Sequence, residues 1–79
     1  MPLLPAYLLP VLRMKVEGYA NQAIARALGY PLLTVETYVK RTIQFLRDSG
    51  LWDAHFSPRT GLMVCGKQYL AALEVPSPR

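Results

Sequence analysis

Seventy-nine residues allow one domain with one modest core, and 52% hydrophobic against 18% charged residues excludes a disordered tail. Nine Lys and Arg against five Asp and Glu leave a formal charge of +4 at pH 7, a balance that suits an anionic partner or an acidic protein surface. The cations are spread evenly over residues 1–31, 32–50 and 51–79, so any anion-binding face has to be assembled by folding.

Chemistry-bearing side chains are few. Cys65 is the only cysteine and His55 the only histidine, which leaves no intrachain disulfide and too few ligands for a tetrahedral zinc site. The carboxylates Glu17, Glu36, Asp48, Asp53 and Glu74 show neither paired nor metal-binding spacing, and there is no glycine-rich phosphate loop. No catalytic residue, metal or cofactor is expected. A lone thiol beside an apolar run reads as a small core residue, and this cysteine usage suits a reducing, cytoplasmic setting.

The apolar stretch from Leu3 to Leu12 is broken by Pro5 and Pro10 and is too short to span a bilayer. It carries no basic lead and no small-residue cleavage pattern, so it reads as part of the domain, covering another element or a second copy of the chain. The first helix is expected at about residues 6–17. Pro10 is tolerated only in a first turn, which favours a start near Leu9, and Gly18 supplies the stop. A second helix is expected over 20–28, with Ala20, Ile24, Ala27 and Leu28 on one side and Gln22 and Arg26 on the other.

The clearest periodicity lies at about 34–47. Val35, Val39, Thr42, Ile43 and Leu46 share one face, while Glu36, Thr37, Lys40, Arg41, Gln44 and Arg47 fill the opposite arc, with Thr34 as a candidate cap. Beyond Gly50 the pattern shortens. Ala54–Phe56 and Leu62–Cys65 flank Ser57-Pro58-Arg59-Thr60-Gly61, a strong turn signal, which predicts a β-hairpin over about 54–65. A last helix at 67–74 would bury Tyr69, Leu70 and Leu73. Trp52 is expected as a core plug between the hairpin and the third helix. The fold class expected is therefore mainly α: a helix-turn-helix three-helix core, winged by a short β-hairpin, plus a short C-terminal helix.

A short helix, a tight turn and a longer helix with a polar outer face is a helix-turn-helix order, whose second member fits a major groove. The segment Val11-Leu12, then Glu17-Gly18-Tyr19-Ala20-Asn21-Gln22-Ala23-Ile24-Ala25-Arg26-Ala27-Leu28, resembles the start of a LuxR/GerE-type helix-turn-helix. Thr34-Val35-Glu36-Thr37-Tyr38-Val39 is similar to that family's opening of the recognition helix. The resemblance covers about residues 11–46. It departs at Glu36, where the family pattern has lysine, at Ala20 in place of a capping serine, and at Pro31 in place of the serine before the recognition helix.

The resemblance implies a transcriptional regulator that acts by occupying double-stranded DNA, and because a lone recognition helix offers little surface, a homodimer reading two half-sites is expected. The candidate DNA-contacting residues are Thr34, Glu36, Thr37, Lys40, Arg41, Gln44 and Arg47 on the third helix, Asn21 and Arg26 on the second, and Arg59 at the tip of the expected wing. Asn21 serves either a phosphate or the cap of its helix. Tyr38 is expected to pack against the second helix. The rival reading is an interaction module on the same fold that binds RNA polymerase, a sigma factor or another regulator. Glu36 and the modest net charge favour it.

Overall fold

The structure is a computed structural model that describes residues 3–73. A 3-10 turn, Ala6–Leu8, leads directly into α1, Leu9–Val16; α2 spans Asn21–Leu28, α3 Leu32–Asp48 and α4 Pro58–Leu73. Pro10 lies in the first turn of α1, where its missing N–H costs nothing. Gly18 adopts φ 95° after the helix, a conformation that favours glycine. α1 packs chiefly on α4, and α2 on α3.

No strand occurs among the described residues, so the expected hairpin over 54–65 and its wing are not formed. Residues 58–66 belong instead to α4, which absorbs the expected last helix at 67–74; Glu74 lies outside the described residues. The local chemistry explains the difference. Ser57 Oγ accepts from the Thr60 N–H at 3.2 Å, and the Gly61 N–H donates to the Ser57 carbonyl at 2.8 Å, closing a first helical turn. Pro58 is the first helical residue, where proline is pre-organised. The same five residues that read as a turn are therefore a capped helix start.

Gly61 and Gly66 are buried on α4 with Leu62, Cys65, Tyr69 and Leu70. A Cβ on Gly66 would come to 2.6 Å from Val16 Cγ2 and 2.9 Å from Leu12 Cδ1, so glycine lets α1 and α4 approach closely. Leu73, expected on the buried side, is exposed.

The core joins Leu4, Leu8, Val11 and Leu12 to Ile24, Val35, Val39, Leu46 and the buried face of α4. Thr42 is buried and donates through Oγ1 to the Tyr38 carbonyl at 2.8 Å, which satisfies its hydroxyl. Leu4, Leu8, Val11 and Leu12 of the N-terminal stretch thus cover other helices of the same chain, while Leu3 and Tyr7 stay exposed. The Leu4 N–H donates to the Tyr69 hydroxyl at 2.8 Å, pinning the start of the described chain to α4. Cys65 is buried, its thiol 3.1 Å from the Leu51 carbonyl, and burial pushes its pKa up. His55 is exposed in a turn in which its N–H donates to Asp53 Oδ1. Among the described residues, no helix is long and apolar enough to cross a membrane, and no cluster of His, Cys, Asp and Glu is arranged to hold a metal.

Candidate nucleic-acid interface

The turn between α2 and α3 sets the geometry of the site. Gly29 is left-handed at φ 72°, and the Tyr30 N–H reaches back to the Ala25 carbonyl at 3.0 Å, a hydrogen-bonded helix stop built on glycine. Pro31 follows in extended conformation and α3 begins at Leu32. Under this corner Ile24 and Val35 are fully buried and Ala25 is half-buried, so the small Ala25 admits the crossing helix. Ala20 and Ala27, expected on the packed side of α2, are exposed.

α3 commits Val35, Val39, Thr42 and Leu46 to the core. At 100° per residue this turns Lys40, Gln44 and Thr37 outward, with Arg41 beside them. Lys40, Arg41, Gln44 and Arg47 are exposed, and Thr37 is half-exposed. Thr34 makes no side-chain cap, because the helix starts two residues earlier, at Leu32 after Pro31. It lines a shallow cleft with Leu33, Thr37, Tyr38 and Arg41.

Several of these side chains already have partners. Arg41 donates to the Tyr7 hydroxyl at 3.1 Å and lies 5.9 Å from the centre of the Tyr38 ring. Arg47 lies over Trp52 at 5.3 Å, within cation–π range. Gln44 donates to Asp48 Oδ1 at 2.9 Å. These contacts hold the cations against the fold while leaving their outer edges in solvent. Tyr38 meets Tyr7 and Tyr30 edge-on, at 4.9 and 5.6 Å between ring centres, so its aromatic neighbours are in the N-terminal stretch and the α2–α3 turn.

Of the remaining candidates, Asn21 and Arg59 are placed differently from the sequence expectation, while Arg26 lies on the outer side of α2 as expected. Asn21 does not cap α2: it is the first helical residue, and its Oδ1 accepts from Lys15 Nζ at 3.2 Å. Lys15 also donates to the Tyr19 carbonyl at 3.3 Å, which ties α1 to the start of α2. Arg26 is exposed in the last turn of α2. Arg59 is not at a wing tip. It sits in the first turn of α4 and lines an open groove of about 770 Å³ with Lys15, Glu36, Leu32, Ile43 and Met63. Glu36 therefore faces this groove beside the outer face of α3.

Sequence spacing could not have found the Tyr7–Arg41 or Lys15–Arg59 proximities, since each joins residues brought together only by tertiary packing. Trp52 followed by Phe56 was the one available sign of an aromatic support beside Arg47. The two rings meet edge-on at 6.4 Å. No protein-family model, curated protein or solved structure matches the chain.

Proposed function

We propose that this chain is a small helix-turn-helix DNA-binding protein, a transcriptional regulator that acts by occupying duplex DNA. One observation carries the reading: the glycine-stopped corner between α2 and α3 buries Ile24 and Val35 and leaves Thr37, Lys40 and Arg41 along one outward face. A helix presented this way fits the major groove, its early residues near base edges and its later ones beside the backbone. Lys40 and Arg41 then neutralise phosphates, which adds affinity without sequence information. On this reading Thr37 discriminates among bases. A single recognition helix offers little surface, so specific binding calls for a second copy reading a second half-site. Exposed Val64 and Leu73 on α4 are apolar surface open to such pairing.

The test is fluorescence anisotropy against a panel of duplexes. Thr37→Ala should change the order of preference among sequences, while Lys40→Ala should weaken all of them alike. A protein that binds no duplex at low salt removes the reading.

A second reading has its own support. Leu33, in the first turn of α3, is 73% exposed, with Leu32 and Tyr30 exposed beside it. An apolar patch at the head of the helix fits a protein partner in the transcription machinery better than base edges. Leu33→Asp should abolish capture of such a partner, and it should also weaken DNA binding if the first turn enters the groove.

A further inference from the structure

We propose that the groove between α3 and the start of α4 binds a small amphipathic anion. Its carboxylate head lies between Lys15 and Arg59, and its apolar body lies along Leu32, Ile43 and Met63. The groove holds about 770 Å³, within the range of small-ligand sites. Its walls come from α1, the α1–α2 turn, α2, α3 and α4, so the site exists only in the folded chain. The floor is apolar, as a ligand with a hydrocarbon body requires.

The two cations reach the groove from different helices. Lys15 Nζ is fixed by the Tyr19 carbonyl and Asn21 Oδ1, which leaves one of its three donors for a ligand. Burial, and then the positive charge of Arg59, lower the pKa of Lys15, so the fold brings two like charges together at some cost. A single carboxylate between them removes that repulsion and accepts charge-assisted hydrogen bonds from both. Glu36, on the α3 wall, is the carboxylate among the described lining residues. It disfavours a polyanion in the groove and leaves a one-headed anion as the occupant. This site does not depend on the DNA-binding reading.

Decanoate tests the proposal, with decyltrimethylammonium as the matched chain carrying the opposite head. Each is titrated below its micelle concentration into the full chain, followed by amide and side-chain NMR. Decanoate should shift Lys15, Arg59, Ile43 and Met63 signals together and saturably, and the cation should not. The double variant Lys15→Gln, Arg59→Gln should weaken decanoate binding about tenfold or more, with dispersed spectra confirming the fold. Each single variant should give an intermediate loss, and Glu36→Gln should bind as well as the parent or better. Equal binding of both head groups, unchanged decanoate affinity in the double variant, or no shifts up to millimolar ligand would each overturn the proposal.

Discussion

Gly61 of α4 sits against the indole of Trp52 so closely that a Cβ added at Gly61 would fall inside the ring's van der Waals envelope. The glycine is the fourth residue of α4, a helical position where alanine would ordinarily add up to about 1 kcal/mol of stability. Here the overlap is with a rigid ring that also packs on Phe56 and carries Arg47 over its face, so the ring has little freedom to move away. Gly61→Ala should therefore destabilise the fold by about 1–3 kcal/mol, the usual cost of overpacking. Urea denaturation measures it. A gain in stability would show that the indole swings aside freely.

The N-terminal cover should behave as core. Leu8 is 1% exposed, and Leu8→Ala should cost about 2–5 kcal/mol. Tyr69→Phe deletes the acceptor of the buried Leu4 N–H and should cost about 1–3 kcal/mol. Sedimentation equilibrium of Leu4→Ser, Leu8→Ser protein should show lower stability and an association state like the parent's. A change of mass without loss of stability would assign the stretch to an interface between copies.

α3 was legible because its periodicity reports burial directly. Of the face expected there, Val35, Val39, Thr42 and Leu46 are buried and Ile43 is half-buried. Gly18 and Gly29 stop helices by left-handed geometry, as local rules anticipate. The region beyond Gly50 misled because proline, serine and glycine have two roles. Pro58 opens a helix as readily as it occupies a turn, Ser57 caps as readily as it bends, and Gly61 serves packing against Trp52, a contact invisible to spacing. At the site, the outward residues of α3 followed from its buried face. The partners that restrain Arg41 and Arg47 did not, because Tyr7 and Trp52 lie outside the helix.

Lys15 should titrate below the ordinary lysine value, through burial first and Arg59 second. In the window between its lowered folded pKa and the ordinary value, the unfolded chain holds a proton that the folded chain has released. Stability should therefore gain from this group as pH rises through that window, with the full penalty present below it. Arg59→Gln should move the Lys15 pKa part of the way back up, as read by NMR titration of the lysine Cε. No upward movement would show that the two side chains do not sense each other.

Phosphate neutralisation by α3 should make binding to random duplex DNA salt-dependent. Lys40 is exposed on the outer face of α3, and Arg41 lies beside it against Tyr7 and Tyr38. If each neutralises one phosphate, the slope of log K against log salt for the parent should be steeper by about 2 than for the Lys40→Ala, Arg41→Ala variant. Affinity should fall alike for every duplex. Duplex binding with the same affinity and the same slope in both proteins would exclude α3 as the groove helix, and a parent that shows no salt-dependent binding at all would exclude DNA as the partner.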